Sequence, residues 1–135
     1  MQYQEYIQKV QLTSQLIHDA HFKEAVEALY QLFLSDISDL DKADICAELA
    51  VVYDRMGNTD QTMTWYEKGI SLEQDYCRYA TVEKKAQCLS QLGRNDQAVS
   101  IYESLIQQPF VTEAEKERMR KVIQNLLGKA MRGWQ

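Results

Sequence analysis

A chain of 135 residues, 45% hydrophobic and 26% charged, is long enough for one domain with a core of its own. One proline and five glycines leave few helix breakers, and no stretch approaches the roughly 18 consecutive apolar residues of a membrane span. The net charge of −5 is concentrated in residues 1–110, which hold nine basic and seventeen acidic side chains, so the main body opposes nucleic acid rather than attracting it.

In chain order, the apolar spacing predicts seven helices over about 2–18, 22–34, 40–56, 59–72, 75–92, 95–107 and 112–131. The first begins at Met1-Gln2-Tyr3-Gln4-Glu5, which lacks the basic flank and continuous apolar segment of a signal peptide. The absence of targeting signals sets the expectation of a cytoplasmic protein. The longest linker is Leu34–Asp41, pinned by Ile37 and Leu40. The last helix opens on Thr112-Glu113-Ala114-Glu115, a capping box after Pro109 has ended its predecessor. Its apolar stripe, Met119, Val122, Ile123, Leu126 and Ala130, is expected to cover the open end of a stack of helices.

Three segments of the chain align on one another. They are Ala20-His21-Phe22-Lys23-Glu24-Ala25-Val26-Glu27-Ala28-Leu29-Tyr30, Gly57-Asn58-Thr59-Asp60-Gln61-Thr62-Met63-Thr64-Trp65-Tyr66-Glu67 and Gly93-Arg94-Asn95-Asp96-Gln97-Ala98-Val99-Ser100-Ile101-Tyr102-Glu103. Gly57 and Gly93 stand where a helix ends on a residue of positive φ, and Ala20 stands there in the first copy. Asn58 or Thr59, and Asn95, can cap the helix that follows. Ala25, Thr62 and Ala98 are small enough to let two helices approach closely, and Leu29, Tyr66 and Tyr102 follow four residues later on the same face.

The run Leu49-Ala50, Tyr53, Gly57, Thr62, Tyr66, Gly69 resembles a tetratricopeptide repeat. Ala86, Leu89, Gly93, Ala98 and Tyr102 resemble it in a third copy, and Leu12, Leu16, Ala25, Leu29 and Leu32 in a first. The pattern departs from the family in three ways. The aromatic near the start of each first helix is replaced by Lys9, Cys46 and Val82. The closing proline is missing after the first two copies. The copies are 36 and 37 residues apart. The resemblance implies an all-α fold, a right-handed superhelical array of three antiparallel helix pairs with a C-terminal capping helix. It implies a single domain over 1–135, with repeats at about 5–38, 43–75 and 79–109 and the cap at about 112–131.

Chemistry-bearing motifs are absent: no Gly-rich phosphate loop, nucleophile elbow, paired-cysteine motif or HExxH pattern. His18 and His21 are too few for zinc, and Asp36, Asp39, Asp41 and Asp44 lack EF-hand spacing and read as a solvated helix start. The three widely spaced cysteines read as reduced thiols. Cys77 and Cys88 fall on one predicted helix, too far apart to bridge. The expectation is therefore no enzyme, no catalytic residue, no metal and no cofactor. The resemblance implies a protein-binding adaptor instead, with two rivals: a small acidic chaperone of secretion-system clients, and a regulatory accessory subunit.

In this family the first helix of each repeat lines a concave groove. Carried over by register, the groove residues are Ile7, Val10, Ser14, Ile17 and His18, then Asp44, Ala47, Val51, Asp54 and Arg55, then Ala80, Glu83, Lys84, Gln87 and Gln91. The family's carboxylate clamp for acidic heat-shock tails is not expected, because Val10, Ser14 and Glu48 replace its Lys and Asn residues and only Lys84 suits. The expected partner is a protein or peptide with apolar anchors and some basic residues, with no nucleic acid and no membrane. A homodimer through Tyr3, Tyr6, Ile7, Val10 and Ile17 of the N-terminal helix is the competing use of that surface. The basic residues Lys116, Arg118, Arg120, Lys121, Lys129 and Arg132 of the last helix are interleaved with glutamates and read as its solvated face.

Overall fold

The computed structural model describes residues 1–132, with backbone alone for the last three of these. Seven α-helices run in order: α1 (Tyr3–His18), α2 (Phe22–Leu34), α3 (Asp39–Arg55), α4 (Thr59–Glu73), α5 (Ala80–Gln91), α6 (Asn95–Ile106) and α7 (Glu113–Arg132). A short 3₁₀ turn, Gln74–Tyr76, follows α4, and no strand occurs among the described residues. The chain is all-α and divides into two compact units, Met1–Thr81 and the residues from Val82 onward, the division falling inside α5.

The first unit holds α1 to α4, in which α1 packs on α2, α2 on α3 and α3 on α4. Each helix pair is closed by the same backbone device. Ala20 at φ 61° ends α1 and Gly57 at φ 78° ends α3. The residue after each donates its N–H five positions back, His21 to the Leu16 carbonyl at 2.8 Å and Asn58 to the Tyr53 carbonyl at 2.9 Å. In the second unit Gly93 at φ 81° does the same after α5, with Arg94 donating to the Leu89 carbonyl at 2.8 Å. The three copies aligned in the sequence are therefore three copies of one left-handed turn. Glycine adopts it without strain, whereas Ala20 adopts it against its own Cβ.

Beyond each turn the small residues do what their size predicts. Ala25, Thr62 and Ala98 are fully buried, and Leu29, Tyr66 and Tyr102 lie buried beside them. Thr62 hides its hydroxyl by donating to the Asn58 carbonyl at 2.8 Å. Asn58 also accepts from the Gln61 N–H at 3.1 Å, the cap its residue type favours. Asn95 does not cap α6. Arg94 is the residue preceding that helix, with no side-chain cap, and the Asn95 side-chain oxygen accepts from Ser90 Oγ at 3.3 Å.

At Gly69, α4 leaves no spare room against α3. A Cβ built there would meet Thr81 Cγ2 at 3.0 Å, Cys46 Cβ at 3.2 Å and the Ala43 carbonyl oxygen at 3.3 Å. One of these contacts is backbone, so the neighbours cannot all give way.

The expected helix over 75–92 begins five residues later, at Ala80. Tertiary contacts override local propensity here. Cys77 takes a left-handed conformation, φ 53°, and Arg78 donates its N–H to the Glu73 carbonyl at 3.4 Å. The Glu73 side chain, wholly buried, turns back to accept the Thr81 N–H at 2.8 Å, an orphan donor in the first turn of α5. Its other oxygen, which accepts no hydrogen bond, lies 2.8 Å from Arg78 Nε, and Arg78 also grips Asp44 of α3. Cys77 therefore sits exposed in a turn, not on the helix that carries Cys88.

In the second unit α7 packs against α6 through the buried Met119 and Leu126, with Val122 and Ile123 half-buried; the Ala130 side chain lies outside the described residues. Thr112 caps α7 by accepting the Glu115 N–H at 3.2 Å. Arg118 binds both oxygens of Glu83 on α5, at 2.6 and 3.1 Å, and Glu115 on its own helix.

Two substitutions test this architecture by urea denaturation. Gly69→Ala gains up to about 1 kcal/mol of helix propensity but loses about 1–3 kcal/mol to overpacking, so a net loss on the order of 1 kcal/mol is expected. Arg78→Ala strands a buried carboxylate and is expected to cost about 3 kcal/mol, the low end for a broken buried pair because Arg78 stays partly exposed.

Candidate functional site

The repeat register singles out one side of the first helix in each pair. On α3, Asp41, Asp44, Glu48, Val51 and Arg55 recur at three- and four-residue steps, so they share one face. Asp41, Asp44, Glu48, Val51 and Asp54 are half-buried and Arg55 is exposed. On α1, Ile7 and Val10 are half-buried, and Ser14 and His18 are exposed. These residues of the first unit keep surface that a partner can reach.

Two residues of the same register do not. Ala47 is 1% exposed and Ile17 9% exposed, because both side chains are used in packing the helices together. Tyr6 is buried as well, so the N-terminal helix does not present Tyr6 and Ile17 as an open self-association stripe. Tyr3 remains exposed, its ring 6.5 Å from that of Tyr6.

Tyr6 connects α1 to the acidic face of α3. Burial, and then the nearby Asp41 and Asp44, push its hydroxyl up to about 12; Tyr3 and Glu48 add to the effect. Asp44 is not a free acid, since Arg78 holds it. Asp39, at the start of the helix, accepts from the Tyr76 hydroxyl at 3.2 Å. Ser38 caps α3 by accepting the Asp41 N–H at 3.1 Å. Of the aspartates expected to be a solvated helix start, Asp41 sits in the first turn as a dipole partner, whereas Asp39 and Asp44 also make tertiary ties, to Tyr76 and Arg78.

In the second unit Lys84, Gln87 and Gln91 are exposed along α5, while Glu83 is committed to Arg118. Ala80, half-buried, precedes them in the first unit. A shallow cleft of about 230 Å³ is lined by Ala86, Gln87, Ser90, Gln91, Tyr102 and Lys129, among others. Burial, with Glu83 nearby, raises the Tyr102 hydroxyl as well.

On α7, Lys116 pairs with Glu113 at 3.7 Å and Arg120 with Glu117 at 3.4 Å, while Arg118 is held by Glu83 and Glu115. Three residues of the basic run, Lys116, Arg118 and Arg120, are paired within the chain. Arg132 offers no described side chain.

Among the described residues no three His, Cys, Asp or Glu side chains are placed to hold a metal ion, and no helix is long and apolar enough to cross a membrane. His21 lies 3.8 Å from Glu24, and His18 is exposed at the end of α1. The register found the half-exposed positions but missed Tyr6, Asp41 and Glu48 as parts of the acidic face. The spacing Asp41, Asp44, Glu48 was the available signal; the Arg78 tie on Asp44, 34 residues away, had none.

The phenol and thiol buried here set an alkaline limit. Tyr6 is raised from 10.0 to about 12, and burial raises Cys46 from 9.0 to about 11. The folded chain holds these protons more tightly than the unfolded chain does. The stability they contribute is complete below pH 9 and is lost as the pH climbs through the interval to about 12. Urea midpoints measured across that interval should fall, and should fall less in a Tyr6→Phe variant.

The tetratricopeptide repeat family model matches residues 43–76 and 82–108, the second and third copies. Comparison with curated proteins gave no match.

Proposed function

We propose that this chain, which belongs to the tetratricopeptide repeat family, is a non-enzymatic adaptor that binds a segment of another protein on the α1–α3 side of its first unit. Proteins of this family generally mediate protein–protein interaction, and the acidic, partly apolar face of α3 supplies the chemistry. Ile7, Val10 and Val51 are the apolar contacts, reachable yet half-buried, so a partner gains by covering them without unfolding anything. Asp41, Glu48 and Asp54 surround them with negative charge on α3. The complementary partner is a helix or extended peptide with aliphatic anchors and lysine or arginine beside them.

One observation carries this reading: on α3 the carboxylates of Asp41, Asp44 and Glu48 share a face with the half-exposed Val51. Asp44 contributes less than its neighbours because Arg78 already neutralises it. Ser14, His18 and Arg55 lie toward the margin as polar contacts.

Affinity capture followed by mass spectrometry tests the assignment. Wild type is expected to retain a partner that Val10→Glu with Val51→Glu loses, while circular dichroism and melting of the variant stay unchanged. Capture should also weaken with added salt, because an acidic face and a basic segment attract each other across solvent. Equal capture by both proteins would move recognition elsewhere on the chain.

A further inference from the structure

We propose that an aromatic patch between α2 and α4 of the first unit binds an acidic segment of a partner protein, with two lysines taking its carboxylates and the rings its apolar residue. The patch is built from three side chains. The Trp65 ring of α4 lies edge to face with two rings of α2, its centroid 6.1 Å from that of Tyr30 and 5.4 Å from that of Phe33. Tyr30 and Phe33 are 6.5 Å apart and nearly stacked. Trp65 is 6% exposed and forms the floor, Tyr30 is 43% exposed, and Phe33 is half-buried.

Cations border these rings. The Lys68 ammonium lies 4.3 Å from the centroid of Trp65, and that of Lys42, near the start of α3, lies 5.8 Å from the centroid of Phe33. Lys9, Arg78, Lys116, Arg118 and Arg120 each meet a carboxylate of the chain. Among the described residues Lys42 and Lys68 meet none and lie over rings instead. A ring face attracts an ammonium without neutralising it, so both charges stay available to a partner. Holding each ammonium over its ring also lowers the ordering cost when a carboxylate arrives.

A second observation points the same way. The Trp65 Nε1–H is buried and has no acceptor among the described residues, although an enclosed indole donor usually finds one. A carboxylate that meets Lys68 arrives beside this indole, and its second oxygen is the acceptor that the chain does not supply. Charge then selects the occupant. Residues 1–81 carry six basic and fourteen acidic side chains. A nucleic acid, with phosphates along its whole length, would run from the patch onto those acids. A short segment with carboxylates on either side of one apolar residue stays within reach of the two lysines, because screening at physiological salt confines each charge to about 8 Å. None of the five residues of the patch belongs to the α3 carboxylate face, so the two surfaces are separable.

Fluorescence anisotropy of a fluorescein-labelled, amidated Glu-Glu-Leu-Glu-Glu peptide, titrated with the full-length chain, tests the proposal. A saturable rise that weakens with added salt is expected. In a Trp134→Phe background, which leaves Trp65 as the single indole, the unlabelled peptide should change the indole emission with the same midpoint. Lys42→Gln with Lys68→Gln should weaken binding about tenfold, the loss expected of two exposed ion pairs together, while arginine at both positions should retain it. Lys68 is exposed, so Lys68→Gln alone should fold as wild type does and weaken binding about threefold. The Val10→Glu, Val51→Glu variant should bind this peptide unchanged, which reads the patch independently of the adaptor face. No binding at millimolar protein, equal binding of a Gln-Gln-Leu-Gln-Gln analogue, full affinity in the Lys42→Gln, Lys68→Gln variant, or an unresponsive Trp65 would each overturn the proposal. So would tighter binding of a labelled oligothymidylate, which would assign the patch to nucleic acid.

Discussion

Everything in this molecule follows from a single backbone residue of positive φ between paired helices. At Ala20, Gly57 and Gly93 the chain reverses within a few residues and the next N–H returns five positions, so the second helix must run back along the first. Once two helices are forced alongside each other, the residues at the contact have to be small. Ala25, Thr62 and Ala98 meet that demand, and Gly69 meets it to the point where a Cβ has no room. The faces a partner can use are what remains of each helix after this packing has taken its share.

These devices were largely legible in the sequence because they are local. A glycine that ends an amphipathic run, an asparagine just after it and a small residue on the next helix are all fixed by neighbours within ten positions. The structure bears out the all-α reading, the Gly57 and Gly93 turns, the Asn58 cap and the Thr112 cap. The start of α5 was misplaced because its cause is not local. Nothing in Gln74-Asp75-Tyr76-Cys77 calls for a left-handed residue. The Glu73 carboxylate, reaching Thr81, and the guanidinium of Arg78, reaching Asp44 on another helix, hold the turn there. Asn95 failed as a cap because it is the first residue of α6, one position past the cap.

The candidate face was legible to a lesser degree. A helical register says which residues share a side of a helix, and it placed Val10, Val51 and Asp54 among those that keep accessible surface. How deep each residue sits depends on interhelical distance, which is set by contacts far away in sequence. Ala47 and Ile17 are hidden for that reason, and Tyr6, which looked like an exposed tyrosine on a terminal helix, is folded in against the α3 acids. Leu12 errs in the opposite sense: its spacing assigns it to the core and the structure leaves it outside.

The clasp formed by Glu73, Arg78 and Asp44 also constrains how such a chain can diverge. Glu73 is enclosed while Arg78 retains a path to water, so the two are unequal in what their loss entails. Neutralising Glu73 first leaves a cation that can turn outward to solvent or lean on Asp44. Removing Arg78 first leaves an anion with nowhere to go. Descendants of this sequence that abandon the clasp should therefore reach that state by an ordered route, with the glutamate changing before the arginine. Asp44 can be substituted freely only after both have gone.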